Sequence, residues 1–394
     1  MFMQNKLQKQ KFLILFAVNF LITLAFAAND ALFPLFYNEF YSHGVMFGFA
    51  FAFYAASKIL FSPLAGSVID RYGPRTVLFY AVALFTVVSV MFNLAQDEKV
   101  ILILRVFQGI ACAVFRPVIY CLLEFSEKQK GKAIGIFDLS FYSAVAAAPL
   151  IGSIIVEKAG FSHLFLFIMI CCLLSFSLAF LIGKTKETPV IKAKKILCKK
   201  AAVSILMIYI FCRAWGISAI TVFLPIYLSG QSVSVKEIGL ALSLSAAVTA
   251  LFLPFTGRLA DYFHKELLIT CGGVAVSLLL IATVLVNSYV HLLAVLLFSG
   301  VFSAVSQPAC TALLFEHSEA GSRGSIIGHF NMFMGLGFAC SPVFSSILLK
   351  YAGIKSVFVF SGLMGLVSAI AFCLITYSRT SAQNLWNAGK AAGT

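Results

Sequence analysis

The sequence predicts an all-α polytopic membrane protein, with twelve spanning helices arranged as two pseudo-symmetric six-helix bundles. Three observations predict it. The 394-residue chain is 61% hydrophobic and 11% charged, whereas a soluble domain carries about 25% charged residues. Polar and glycine-rich breaks divide it into twelve apolar runs of spanning length, about 20 residues each. The chain is also written twice. Gly48, Pro63, Gly66 and Asp70 recur 191 residues later as Gly239, Pro254, Gly257 and Asp261, and Pro34 and Pro117 recur as Pro225 and Pro308. After Glu124 the offset becomes 193, so that Gly131, Gly135, Pro149 and Gly160 match Gly324, Gly328, Pro342 and Gly353. Proline and glycine act on the backbone itself, so agreement at these positions is agreement about the scaffold.

The first half gives spans near 12–36, 46–66, 76–95, 100–123, 133–156 and 162–183. The second gives 201–228, 237–257, 267–287, 290–314, 325–349 and 354–377. Runs this long are helices, because barrel strands need only about ten residues to cross lipid. Lys6, Lys9 and Lys11 precede the first run, and Ala25-Phe-Ala27 imitates a signal-peptidase site. Yet Phe33-Pro34-Leu35 has its counterpart in Leu224-Pro225-Ile226, which a cleaved leader would lack. The run is therefore read as a retained first helix. The expected organisation is an N-terminal bundle over 1–183, a basic cytoplasmic linker over 184–200, a C-terminal bundle over 201–378 and a cytoplasmic tail over 379–394.

Lysine and arginine set the orientation. Twenty of the 29 lie in the tails and in the loops after even-numbered helices, against five in the loops after odd-numbered ones. That bias places both termini in the cytoplasm of a plasma membrane, here a bacterial inner membrane. The net charge of +14 is spread over short segments between apolar runs, a pattern that suits anionic lipid headgroups and topology and argues against a nucleic-acid partner. The ten cysteines are scattered without metal-ligand spacing, so neither a metal nor a cofactor is expected.

Between helices 2 and 3 stands Gly66-Ser-Val-Ile-Asp70-Arg71-Tyr-Gly73-Pro-Arg75. Gly66 permits close helix packing and Gly73 a tight turn. Asp70 can accept hydrogen bonds from helix N-terminal amides, while Arg71 and Arg75 can pair with carboxylates or anionic lipid. The second copy reads Gly257-Arg-Leu-Ala-Asp261-Tyr-Phe-His264-Lys265. Two such loops in a six-plus-six chain resemble the signature of the major facilitator superfamily, and the resemblance covers the whole chain. It implies that Gly66, Asp70, Arg71, Gly73, Arg75, Gly257 and Asp261 help lock the outward-facing state of an alternating-access cycle. Glu124, at the end of helix 4, would be the acidic partner. Pro74 stands where that family usually has a basic residue. The other reading is that these charges only fix topology.

Helix 4 reads Leu-Arg105-Val-Phe-Gln108-Gly109-Ile-Ala-Cys-Ala113. It is similar to the family's drug/proton-antiporter motif, in which the helix 4 arginine is linked to proton coupling. Helix 5 carries Ala148-Pro149-Leu-Ile-Gly152-Ser153, resembling the antiporter motif of small residues around a Gly-Pro pair, with alanine in place of that glycine. The resemblance thus points to the twelve-helix drug/proton antiporter branch and makes Pro149, Gly152 and Pro342 candidate hinges. An arginine on an isolated lipid-facing helix costs about 3 kcal/mol or more, so Arg105 should face a polar interior.

Three further sets of charges and rings are candidates. Asp30, beside Asn29 and four residues before Pro34, carries a desolvated carboxyl suited to reversible protonation and is the first candidate proton carrier; Asp138 in helix 5 is the second. The alternatives are a static partner for a basic residue and an interfacial role, respectively. Lys58, Arg116 and Arg213 form a basic set that would tolerate an anionic or zwitterionic solute, unless internal pairs such as Asp30 with Lys58 or Arg116 neutralise it. Tyr37, Tyr54, Tyr142 and Trp215 are candidate aromatic contacts to a substrate, and His329 could titrate near neutral pH or simply pack.

The expected function is secondary active transport of a small organic solute by alternating access, as proton-coupled efflux. Proton-coupled uptake of an anionic, zwitterionic or siderophore-like metabolite is the alternative, with sodium as another coupling ion. A lipid flippase or a non-transport receptor is more remote. No paired catalytic motif or phosphate loop points to an enzyme. The expected partners are the solute, protons and the lipid bilayer, and the expected state is a monomer.

Overall fold

A computed structural model describes residues 6–41, 45–95, 97–122, 130–182, 201–316 and 323–392. The expected linker and Glu124 lie outside these residues. The described chain forms twelve helices and no strand: α1 (Lys6–Phe40), α2 (Val45–Tyr72), α3 (Pro74–Leu94), α4 (Glu98–Leu122), α5 (Lys130–Ala159) and α6 (Phe161–Phe180), then α7 (Ala201–Ser229), α8 (Val235–Tyr262), α9 (Lys265–Ala282), α10 (Tyr289–Glu316), α11 (Arg323–Ala352) and α12 (Ile354–Ala392). Among the described residues, eleven helices hold an apolar stretch long enough to cross a membrane, and α2 contributes the shorter apolar stretch Met46–Ser62. Every expected span falls on a helix. α12 continues to Ala392, through most of what the sequence marks as a tail.

Helices suit this composition because lipid offers the backbone no partner, so each amide must be satisfied within its own segment. Small polar residues solve the same problem by bonding back one turn. The hydroxyls of Ser89, Ser175 and Ser277 donate to the carbonyls of Phe85, Cys171 and Gly273 at 2.7–2.8 Å.

The duplication is visible in the backbone. Prolines interrupt α1, α4 and α5 in the first half and α7, α10 and α11 in the second, each removing one helical hydrogen bond at matching depth. Gly160 and Gly353, at the same point of the repeat, take φ of 83° and 78° and join α5 to α6 and α11 to α12 through a single residue. Only glycine adopts that conformation without strain.

The chain divides into two compact units. One gathers α1–α6 with residues 220–247 and 338–354; the other gathers residues 201–219, 248–337 and those from 355 onward. In the first unit, α1 packs on α5 and α6, α2 on α4, and α3 on α4 and α6. An aromatic seam fills its centre. Phe33 meets Phe51 and Phe92 edge-on at 5.3 and 6.0 Å, and Phe92 stacks on Phe165 at 5.7 Å. α2 also crosses α11 in this unit, and α5 crosses α8, where the Leu150 amide donates to Ser243 Oγ at 2.9 Å. In the second unit α9 packs on α10, around a core that includes Leu206, Ile210, Ile269, Leu313 and Phe372.

Candidate functional site

Helical spacing builds the site. On α1, Asp30 and Phe33 stand three residues apart; on α2, Phe51, Tyr54 and Lys58 follow at three and four; on α4, Arg105, Gln108 and Cys112 do the same. Residues so spaced share one helix face. The three faces meet around the Arg105 guanidinium. Its Nη1 donates to Asp30 Oδ1 at 3.1 Å and to Gln108 Oε1 at 2.7 Å, and its Nε donates to the Ala50 carbonyl at 3.3 Å. Gln108 Nε2 donates in turn to Asp30 Oδ1 at 3.4 Å. Around these bonds, the guanidinium carbon lies 4.0 Å from the ring centre of Phe33, 4.6 Å from Tyr54 and 5.2 Å from Phe51.

The two partners differ in their access to solvent. Arg105 is 1% exposed and Asp30 35%. A buried guanidinium retains its proton under all ordinary conditions, and desolvated cation–π contacts strengthen its hold. Among the described residues, the ion-pair partner of Asp30 is Arg105; the side chain of Arg116 lies outside them. Lys58 is exposed, with its Nζ 5.9 Å from the Tyr54 ring centre. Tyr54 closes the group, its hydroxyl 3.3 Å from Cys112 Sγ. Beneath it, α2 and α4 touch at Gly109, where a Cβ would overlap Ser57 Oγ and the Tyr54 carbonyl.

Tyr37 is placed differently from the other aromatic candidates. It is fully buried, with its hydroxyl donating to Glu98 Oε1 and its ring against Phe33 and Phe47, which leaves no surface for a solute. Tyr142 is half-buried beside Phe141 on α5. Trp215 is buried between Phe211 and Phe360 at 5.9 and 6.1 Å, with Gly337 against its helix.

Arg213 belongs to a second polar group, between α7 and α10. Its Nη2 donates to Ser303 Oγ at 3.0 Å, to Gln307 Oε1 at 3.2 Å and to the Ser303 carbonyl at 3.4 Å. All three acceptors are neutral.

Of the lock candidates, Arg75 donates from Nη2 to the Phe180 carbonyl at 3.2 Å and lies 5.8 Å from the Phe79 ring centre. Arg71 is exposed, over the ring of Tyr72. Gly73 precedes α3 with φ 79°, and Gly257 has open space at its Cα. The hinge candidates are packed: Pro149 and Pro342 are buried in α5 and α11, and Gly152 faces Leu32 and Ala28 of α1. Glu124 lies outside the described residues, as do the side-chain positions of Gly66, Asp70, Arg116, Asp138, Asp261 and His329.

The sequence assigned no role to Gln108, Phe33, Phe51, Cys112, Ser303 or Gln307. The three- and four-residue spacing of 105, 108 and 112 on α4 was the available signal for the first group.

The Major Facilitator Superfamily matches residues 15–234 and again residues 206–392. The chain is similar to the multidrug resistance protein MdtG of Proteus mirabilis (strain HI4320), at 24% identity over 350 residues, covering 85% of this chain and 84% of that protein. It is also similar to multidrug resistance protein 1 of Bacillus subtilis (strain 168), at 22% identity, covering 80% and 83%. Among solved structures, a bacterial homolog of the human lysosomal transporter Spinster, inward-facing and occupied, superposes with a TM-score of 0.78 at 15% identity, covering 95% of this chain and 96% of that one. A D-xylose–proton symporter superposes with a TM-score of 0.77 at 16% identity, covering 92% and 96%. At these identities the superpositions establish a shared fold.

Proposed function

The chain belongs to the major facilitator superfamily and is a secondary transporter embedded in a membrane, and from that premise we propose that it exports a small organic solute in exchange for protons, with Asp30 as the proton-binding group. The observation that carries this reading is the asymmetric pair: a permanently charged, buried Arg105 and a carboxylate that is 35% exposed. While Asp30 is ionised it neutralises Arg105 and ties α1 to α4. A proton on Asp30 removes the charge from that tie and leaves the guanidinium to Gln108, the Ala50 carbonyl and three aromatic rings. Proton binding therefore weakens the grip of α1 on α4, and a change in helix grip is what alternating access requires. Export is favoured by the helix 5 motif and by relatives named for multidrug resistance. The charge bias of the loops supports cytoplasmic termini in a bacterial inner membrane, and the functional unit is taken as a monomer.

The test is flux in proteoliposomes holding the purified protein, with a pH gradient imposed in either direction. Efflux coupling predicts that solute moves against the proton gradient and that Asp30→Asn abolishes this movement while exchange at equal pH continues. If Asp30→Asn still concentrates solute against a pH gradient, the carrier assignment fails. Solute accumulating along the proton gradient would instead establish uptake. That second reading is favoured by Arg213, whose acceptors among the described residues are all neutral, and the chain shares its fold with a D-xylose–proton symporter. Replacing the proton gradient with a sodium gradient identifies the coupling ion.

A further inference from the structure

Resting on the transporter reading above, we propose that Arg213 binds an oxyanion of the transported solute, and that this solute is an organic carboxylate. Arg213 stands on α7 ten residues into the apolar stretch Val203–Ser229, where a fixed positive charge is costly unless something neutralises it. Among the described residues its hydrogen bonds reach only Ser303 and Gln307, and no carboxylate lies within ion-pair distance. All three bonds leave from one nitrogen, Nη2. The Nε and Nη1 groups have no acceptor among the described residues, and the delocalised charge meets no anion among them. The residue is half-buried.

The internal duplication indicates that this cluster is not scaffold. At the equivalent point of the first half, Arg213 is replaced by Ile22, a fully buried apolar residue. Ser303 corresponds to Cys112 and Gln307 to Arg116. The two halves agree at their prolines and glycines and diverge where the charge stands. The contrast with Arg105 is equally direct: that cation has Asp30 and is sealed by rings, whereas Arg213 has neutral acceptors on one side only. Ser303 and Gln307 hold the guanidinium in place without spending its charge, which pre-orders it for an incoming anion. A planar carboxylate matches the planar guanidinium better than it would a lysine ammonium.

Trp215, two residues along α7, offers a readout, because Trp215 and Trp386 are the two tryptophans of the chain. In the full-length Trp386→Phe protein in detergent, quenching of Trp215 by 4-nitrobenzoate is compared with quenching by the uncharged 4-nitrobenzamide and by 4-nitrophenyl phosphate. The expected result is saturable quenching by the carboxylate, weaker by about tenfold or more for the amide, and lost in Arg213→Gln. Arg213→Lys, which keeps the charge, should retain part of the affinity and controls for folding. Phosphate ester binding tighter than the carboxylate would overturn the carboxylate assignment. Equal quenching by carboxylate and amide, unchanged quenching in Arg213→Gln, or no saturable quenching by the carboxylate would overturn the site. The measurement uses no gradient, so a failure of proton coupling in vesicles leaves it unaffected, and its own failure leaves the coupling experiment intact.

Discussion

Gly48 of α2 and Gly239 of α8 occupy the same position of the repeat, and each presses its Cα against a proline carbonyl and a serine hydroxyl on the helix that crosses it. For Gly48 these belong to Pro342 and Ser346 of α11, and for Gly239 to Pro149 and Ser153 of α5. A Cβ would come within 2.7 Å of the Pro342 carbonyl in one crossing and 2.5 Å of the Pro149 carbonyl in the other. Those acceptors are backbone and cannot rotate away. One contact, duplicated with the gene, thus closes two seams.

Gly48→Val and Gly239→Val should therefore each force a seam apart at a cost of about 1–3 kcal/mol against the closed arrangement. With Ser153→Cys as a reporter, Gly239→Val is expected to raise labelling by a membrane-impermeant maleimide severalfold and to slow transport. Unchanged labelling would mean that the crossing absorbs the side chain.

Asp30 variants should separate stability from coupling. Asparagine keeps an oxygen in place for Arg105 Nη1 and Gln108 Nε2, so Asp30→Asn should unfold within a few degrees of the parent while losing proton-driven transport. Asp30→Leu strands a buried guanidinium, which costs about 3 kcal/mol or more. Thermal unfolding in detergent distinguishes them, and equal loss in both variants would count against the pairing described.

Depth was legible in the sequence, and rotation was not. Hydropathy gave each helix but not its ends, α12 running on to Ala392, since lipid imposes a length and composition only on the spanning part, and the repeated prolines indicate which helices correspond. Hydropathy says little about which way a side chain faces around its helix. Lys58 and Arg105 lie on neighbouring helices and both were candidates for the interior, yet one is exposed and the other sealed by three rings. Tyr37 shows the same limit: its depth suits a cavity, while its hydroxyl turns to Glu98. Periodicity within α4 would have separated Arg105 from the rest, because Gln108 and Cys112 extend its face.

Tyr37→Phe removes the hydroxyl that donates to Glu98 while keeping the packed ring. A buried hydrogen bond to a charged group contributes about 1.5–3 kcal/mol, so the variant should unfold at a lower temperature. Its substrate profile should remain that of the parent. An altered profile in transport competition would return Tyr37 to the set of binding residues.

Gly109→Ala should be among the most damaging single-methyl additions in the first half, because α2 and α4 have no room for it. The added carbon meets the Tyr54 carbonyl as well as the Ser57 hydroxyl. Ser57→Ala should accordingly rescue folded yield only in part, measured by fluorescence-detected size-exclusion chromatography. Full rescue would show that the hydroxyl alone sets the approach.

The burial of Arg105 also has an electrical consequence. Its charge is permanent, so the Arg105–Asp30 pair is neutral when Asp30 is ionised and carries one positive charge when Asp30 is protonated. A charge that shifts across the full membrane voltage changes its energy by about 2.3 kcal/mol per 100 mV. Any fraction of that distance traversed as the helices rock is felt by the protonated protein and not by the deprotonated one. An inside-negative voltage would then select between conformations only after the proton has bound, so that acidity acts on Asp30 and voltage on the Arg105 charge that protonation uncovers.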